Sequence, residues 1–499
     1  MANRLPSPKL LQNLRSSVRR PLNSAAPSIS LSPVGVSQFN LDDKPDSPYF
    51  PTRKPSPPAA SIRNVLNLEN VEALFSSVPT MKLLRSALNL HMTGISGMVD
   101  VGKWVMDSDY LSAMLLKEVS RGIIKHTFYD HFCAGENAAE AGRTAERLWQ
   151  SGIRGMPVYA CEHANDNQSC DRNLEAFLRT IESTKSIPSS AVSFVIVKIT
   201  ALCPAKLLKR VSDQLRWEYN NPSFQLPWKR HTLPVFSNRS PFYHTPTKPD
   251  PLTPEEEEDL FLGHQRLLRI CQKCLDTNVP LSIDAEDTYV QPAIDYFTYS
   301  TALMYNRGDN PIIYGTIQTY LKDAKERLVQ TANIAEKMGI PMGFKVVRGA
   351  YMSSERQLAS SLGVESPIHD TLQDTHACFN ECASFMLEKI ADGSGGAILA
   401  THNVQSGNMA AARAEDLGID KKNEKLQFAQ LYGMADALSF SLRNAGFQVS
   451  KYMPYGPVEV VIPYLIRRAE ENRGFLSTST LDRELLRKEL KRRLKAVFD

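Results

Sequence analysis

The sequence predicts an α/β protein, a (β/α)8 barrel preceded by an N-terminal helical segment, and three observations predict it. From residue 151 onward, short apolar runs rich in valine and isoleucine alternate with stretches of helical periodicity, the pattern of parallel strands joined by crossover helices. The intervening helices carry their own start and stop signals. Polar and charged residues gather where the apolar runs end, which is where a barrel enzyme assembles its site.

Residues 1–41 hold five basic residues (Arg4, Lys9, Arg15, Arg19, Arg20) and no acid, are rich in serine, and can align Leu5, Leu10, Leu11, Leu14 and Val18 as one apolar stripe. This is the composition of an organellar transit peptide, mitochondrial in preference to plastid. Residues 42–63 contain six prolines and no apolar period, so they read as a flexible linker. Residues 64–150 read as mostly helical. The eight strand candidates follow at 156–161, 192–200, 279–284, 312–318, 343–349, 397–402, 427–432 and 447–453. Between them, Thr253-Pro254-Glu255-Glu256 spells a capping box with proline at the first helical position. Helices over 320–338, 371–392 and 433–445 stop at Gly339, Gly393 and Gly446, and Gly393-Ser394-Gly395-Gly396 is a helix stop rather than a phosphate cradle. Residues 203–252, rich in proline and aromatics, are too long for an ordinary loop and read as an insertion. The barrel is expected over 151–478, and 479–499 is a basic amphipathic tail in which Leu486, Leu490, Leu494 and Val497 recur at helical spacing.

Composition excludes several classes. The formal charge is +4, yet without the first 41 residues 53 basic residues face 54 acidic ones, a net charge of −1. The body is therefore no electrostatic nucleic-acid binder. No apolar stretch is long enough to span a bilayer, and the most apolar segment, 193–202, is interrupted by Lys198. Eight cysteines in 499 residues make no disulfide framework. Cys271 and Cys274, like Cys378 and Cys382, lie in helical patterns without a second pair at zinc spacing, so thiols in a reducing compartment are expected and no metal.

The strand ends supply Lys198; Asp284, Ala285 and Glu286; Gln318; Lys345 to Tyr351; Thr401, His402 and Asn403; Gln430, Leu431 and Tyr432; and Tyr452. A lysine directly after Phe194-Val195-Ile196-Val197 is costly without a partner, and an anion in the barrel mouth would be one. After the last strand, Tyr464, Arg467, Arg468 and Glu471 fall at i, i+3, i+4 and i+7, one side of one helix whose first turn Pro463 can occupy.

Five motifs in this constellation resemble the proline dehydrogenase family: IDAED at 283–287, FKVVRGAYM at 344–352, ATHN at 400–403, QLYGM at 430–434, and YMPYGPVE at 452–459 with YLIRRAEEN at 464–472. HTFYDHFCAGE at 126–136 and VVRGAYMSSE at 346–355 are similar to the plant mitochondrial form. The resemblance covers roughly 64–478 and implies a distorted barrel with FAD in its mouth and a final helix closing over the substrate. It implies that Arg467 and Arg468 clamp the carboxylate of L-proline with Lys198 as a third cation, and that Tyr464, Tyr452 and Leu431 wall the ring. Asp284 would hold Tyr452, Glu471 would orient an arginine or the gate, and Lys198, Asp284 and Tyr452 would be the catalytic set. The flavin contacts would be Gln318, Lys345, Arg348, Gly349, Ala350, Thr401, His402 and Asn403. Two departures from bacterial members fall at the flavin ring: Lys345 stands for an arginine and Met352 for a tryptophan. A Gly-x-Gly-x-x-Gly fingerprint is absent.

The activity so implied is oxidation of L-proline to Δ1-pyrroline-5-carboxylate by hydride transfer from ring C5 to flavin N5, with electrons passed to a membrane quinone and peripheral contact with the mitochondrial inner membrane. Hydroxyproline dehydrogenase is the near rival, opposed by the bulk of Tyr452. A metal-dependent barrel hydrolase would use Asp284, Glu286 and His402, and a non-enzymatic scaffold would use only the basic tail.

Overall fold

The computed structural model describes residues 63–93, 125–474 and 476–498. The expected transit peptide, all but the last residue of the expected linker, and residues 94–124 of the expected helical segment lie outside the described residues. Two helices, α1 (Val71–Phe75) and α2 (Thr80–Thr93), precede a π-helical turn at Lys125–Tyr129, and α3 (Ala138–Gln150) leads into the barrel.

The barrel alternates β1 (Arg154–Tyr159), α4 (Asn167–Ser183), β2 (Val195–Val197), α5 (Ala205–Asn220), α6 (Pro254–Thr277), β3 (Leu281–Ile283), α7 (Gln291–Tyr305), β4 (Ile313–Gln318), α8 (Ala324–Lys337), β5 (Met342–Val347), α9 (Met352–Leu362), α10 (Leu372–Ala391), β6 (Gly395–Ala400), α11 (Val404–Asp416), β7 (Leu426–Leu431), α12 (Asp436–Asn444) and β8 (Val449–Tyr455). The strands pair in parallel and in chain order, and β8 closes on β1 from Arg154↔Ser450 to Tyr159↔Tyr455. All eight apolar runs of the sequence are thus strands of one closed barrel. They are buried on both faces, which is why they read as continuous apolar runs without alternation.

Side chains fill the barrel interior. Met156, Val158, Phe194, Ile196, Tyr314, Ile398 and Ala429 form one cluster. Tyr314 takes so much of this space that β5 carries Gly343 and β6 carries Gly396, at each of which a Cβ would run into the Tyr314 side chain. The glycine cluster at the start of β6 therefore has two functions: Gly393, at φ 81°, ends α10, and Gly396 makes room for an interior ring.

Two local expectations are corrected. The 203–252 segment is not a single insertion, because its first part is the barrel helix α5, whose Leu207, Leu208, Val211 and Leu215 are buried at helical spacing. The irregular part, 221–253, wraps the outside: Arg230 N donates to the Tyr296 hydroxyl at 2.8 Å, and Thr331 Oγ1 to the Pro234 carbonyl at 3.0 Å. That covering explains why α7 is buried nearly all round. Pro463 does not sit in a first turn. The helix α13 runs Val458–Gly474 and its first turn follows Pro457, whose carbonyl accepts from Val460 N at 2.9 Å. Pro463 is an exposed interior residue, and exposure lets water serve the carbonyl that its missing N–H leaves behind.

The tail is the helix α14 (Leu476–Phe498), packed on α1 and α2. Arg493 donates to the carbonyls of Phe75 and Val78, each at 2.8 Å, and to Glu489, which is fully buried. The expected apolar stripe stops early: Leu486 is buried and Leu490 half-buried, whereas Leu494 is 59% exposed.

Candidate active site

The strand ends converge on a cleft enclosing about 1630 Å³, part of it open to solvent. Its floor is a buried charge cluster. Asp284, at the end of β3, accepts from Lys345 Nζ on β5 and, at 2.8 Å, from the Tyr452 hydroxyl on β8, with Lys198 Nζ 3.7 Å away at the end of β2. Three strands thus deliver two ammonium groups and a phenol to one carboxylate. Burial works against its charge, but Lys345 and Lys198 hold the Asp284 carboxyl below its usual range. Burial likewise opposes the Lys198 ammonium, yet Tyr351, Glu162, Asp284 and Glu286 together keep it well above its ordinary value. Tyr452 is pushed up by burial and by Asp284, so it stays a neutral phenol.

The roof is α13. Arg467 grips Glu162 with both terminal nitrogens, at 3.1 and 2.5 Å, and Glu162 also lies 3.7 Å from Lys198. Burial opposes the Glu162 charge, but Lys198 and Arg467 depress its pKa. Glu162 follows β1, and the next residue, His163, holds a left-handed φ of 53°, a backbone state that non-glycine residues adopt at a cost. Arg468 is buried on the same helix with its guanidinium 4.9 Å from the Tyr464 ring centre. Tyr464 packs in one apolar cluster with Tyr129, Phe132, Met434 and Val461, against which Leu431 and Tyr452 also pack.

The far end of the cleft differs in chemistry. Arg348 donates to His376 Nδ1 at 3.0 Å, Thr401 Oγ1 at 2.5 Å and Ser406 Oγ at 2.8 Å, with its carbon 4.4 Å from the Phe379 ring centre. Among the described residues no carboxylate meets it, and burial draws the guanidinium down to about 10. Next to it Gly349 holds φ 131°, and a Cβ there would run into the Tyr320 ring. A half-buried arginine on neutral partners beside a side-chain-free backbone is a donor set for a phosphate-bearing ligand. These residues fit a dinucleotide cofactor.

The cleft gathers Lys198, Asp284, Gln318, Lys345, Arg348, Gly349, Ala350, Thr401, His402, Asn403, Leu431, Tyr452, Tyr464, Arg467 and Arg468 in one lining. The Glu471 side chain lies outside the described residues, and Met352 is 41% exposed and absent from the lining. Several expected binders use one polar atom within the protein and keep another for a ligand. Gln318 donates to the Glu286 carbonyl at 2.8 Å, and His402 Nε2 accepts from Leu431 N at 3.1 Å, its pKa lowered to about 3 by burial and the cations nearby. Asn403 caps α11 by accepting from Ser406 N. Glu286 accepts from Thr200 and is absent from the cleft lining, and among the described residues Asp284, Glu286 and His402 form no group able to hold a metal. Sequence reasoning missed Glu162, which the strand-end rule points to when applied to the first run. It also missed His376 and Leu372 at the start of α10, Leu90 on α2 and Asp482 on α14.

A family model described as proline dehydrogenase matches residues 141–480. The chain belongs to the proline dehydrogenase family. It is 54% identical over 486 residues to proline dehydrogenase 1, mitochondrial, of Arabidopsis thaliana, covering 96% of this chain and 97% of that one. To proline dehydrogenase 2, mitochondrial, of the same plant it is 57% identical over 434 residues, 86% and 91% of the two chains. Among solved structures, proline utilization A (PutA) from Bdellovibrio bacteriovorus inactivated by N-propargylglycine superposes with a TM-score of 0.59 at 18% identity, over 84% of this chain and 44% of that one. That likeness shows a shared fold. The proline dehydrogenase match takes in β1 to β8 and α13 but ends at residue 480, before most of α14.

Asp284→Asn leaves two buried ammonium groups short of their counterion, so thermal unfolding should show a loss of about 3–5 kcal/mol. The folded Asp284 pKa is depressed, so its stabilising charge is present above the usual range and lost only as pH falls through the lower folded value. The gap between variant and parent should therefore persist at neutral pH and narrow only below about pH 4. A gap that closes nearer neutrality would contradict the assignment.

Proposed function

We propose that this chain is an FAD-dependent proline dehydrogenase of the mitochondrion, oxidising L-proline to Δ1-pyrroline-5-carboxylate and delivering electrons to a membrane quinone. The observation that carries the reading is the distribution of cations in one cleft. Lys198, Lys345, Arg348, Arg467 and Arg468 line it, against the carboxylates of Asp284, Asp482 and the adjoining Glu162. Such an excess suits anionic ligands, and it divides between a roof apt for a substrate carboxylate and a far end apt for phosphate. The relatives named mitochondrial proline dehydrogenases over nearly the whole chain support the same reading.

Bound FAD supplies the hydride acceptor, N5, for the hydrogen leaving proline C5. The chain's own residues position and exclude. Arg467 and Arg468 bind the carboxylate, with Lys198 adding charge from below. Arginine forks fix orientation as well as charge, which holds the ring in one pose. Arg467 gives Glu162 one N–H from each terminal nitrogen and keeps a second on each for the substrate carboxylate, so the pair orients the guanidinium and couples binding to roof position. Tyr452, its hydroxyl fixed by Asp284, with Tyr464 and Leu431, walls the ring and keeps water out; the fixed phenol disfavours a hydroxylated ring. Arg348, Gly349 and Ala350, with Gln318, Lys345, Thr401, His402 and Asn403 lining the cleft, would hold the cofactor.

Peripheral membrane contact has a candidate face. On α14, Lys488, Lys491 and Lys495 are exposed and meet no carboxylate among the described residues. On α2, packed beside it, Met81, Leu84 and Leu88 are each more than half exposed. Exposed basic and apolar groups on two helices packed together suit an anionic bilayer.

Purified protein should show the visible absorption of a bound flavin and oxidise L-proline with an artificial acceptor; colourless, inactive protein would refute the assignment. Arg468→Met should cost about 3 kcal/mol in transition-state stabilisation, roughly a hundredfold in kcat/KM, and near-parental turnover would remove the clamp. Replacing Lys488, Lys491 and Lys495 by glutamine should abolish salt-sensitive co-sedimentation with anionic vesicles. Unchanged sedimentation, or equal binding to neutral vesicles, would assign that face no lipid role.

A further inference from the structure

The helix α14 lies mostly beyond the family match, yet one of its residues reaches the cleft. Asp482 is buried and lines the cavity beside Leu431, Met434 and Ala435. Its Oδ1 accepts from Ala437 N at 3.3 Å, at the first turn of α12. That helix begins after Ala435, in a left-handed conformation at φ 50°, and no side chain at its own N-cap position accepts a hydrogen bond. The acid of its first turn, Asp436, is already paired with Lys451 at 2.7 Å.

The loop before α12 matters because it is the wall of the proposed ring pocket. Met434 and Leu431 pack with Tyr464 and Tyr452 in one cluster. Lys451 Nζ donates to the Met434 carbonyl at 2.6 Å, and Gly433, at φ 77°, lies so close to the His131 carbonyl that no side chain fits. The wall is thus pinned from β8, from the single turn at Asp130–Phe132, and from α14 through Asp482.

We propose that Asp482 is a positioning residue of the active site, which supplies from α14 the cap that α12 lacks and so fixes the Leu431–Ala435 wall against the substrate ring. This rests on the reading of the site as one that takes a five-membered cyclic amino acid. A carboxyl is a poor choice for packing at so buried a place, and burial, reinforced by Asp436, raises it to about 7 while Lys451 and the Ala437 and Ala435 amides pull it down. What it offers is an acceptor oxygen aimed at an otherwise uncapped helix start. The same contact makes α14, a helix remote in sequence from the barrel strands, part of the substrate pocket.

The test compares Asp482→Ala, Asp482→Asn and Asp482→Ser with Glu484→Gln, an exposed change on the same helix, using L-proline and its six-membered homologue piperidine-2-carboxylate. Loss of the cap should lower the preference of kcat/KM for the smaller ring by roughly fivefold, the scale of one lost N-cap, mainly through KM for proline. Amide exchange at the start of α12 should quicken in step. Asparagine, which still presents an acceptor oxygen, should restore most of the preference. Serine, too short to reach, should behave as alanine does and stands in for it if that variant fails to fold. Glu484→Gln should match the parent. An unchanged ring preference in the alanine or serine variant, or asparagine no better than serine, overturns the proposal. A parent protein inactive on proline overturns the reading beneath it instead.

Discussion

Asp284 is the residue on which the rest of the site depends. Charge this deeply buried persists only when it is paired and hydrogen-bonded on several sides. Asp284 meets that condition by drawing Lys198, Lys345 and Tyr452 from three different strands. A closed barrel is what makes such convergence possible, because its strands all end on one rim. The cluster leaves positive charge facing the cleft, and the roof adds Arg467 and Arg468 while Glu162 ties Arg467 and Lys198 together. Floor and roof are therefore joined through one carboxylate from β1 as well as through the ligand the cleft is built to receive.

The fold serves this arrangement by absorbing bulk elsewhere. Tyr314 plugs the barrel beneath the cluster, with Gly343 and Gly396 leaving it room. The irregular segment 221–253 seals α7 on the outside, and α1, α2 and α14 brace the side on which α12 and the Leu431–Ala435 wall stand. Strained residues, His163 and Ala435, lie next to Glu162 and to that wall, where strain is tolerated because the surrounding contacts over-determine the backbone.

Much of this was legible in the sequence, for identifiable reasons. Buried parallel strands leave continuous Val/Ile runs, so all eight were visible, and Thr253 through Glu256 announced α6 with a capping box that the structure contains. Residues at strand ends were legible because a charge directly after an apolar run has few places to go. Other features were not. Glu162 lies in a loop whose sequence, CEHAND, looks like any polar turn. α5 was hidden by the prolines and aromatics that follow it. The partners of His402 and Gln318 are backbone groups, which no side-chain pattern reveals. Asp482 and Leu90 come from helices that meet the cleft only through tertiary packing. Pro463 was misplaced because a proline is more often a helix start, whereas here it sits inside the helix at an exposed position where water can serve the orphaned carbonyl.

The central claim is that the cleft recognises its substrate through a buried carboxylate clamp. The most direct measurement compares oxidation of L-proline with that of pyrrolidine, the same ring without the carboxylate, in the parent and in the Arg467→Met, Arg468→Met double variant. The account predicts that the parent favours proline by roughly a hundredfold or more in kcat/KM, the scale of a desolvated charge pair, and that the double variant loses most of this preference. Comparable rates on both amines in the parent, or a preference that survives removal of both arginines, would contradict it.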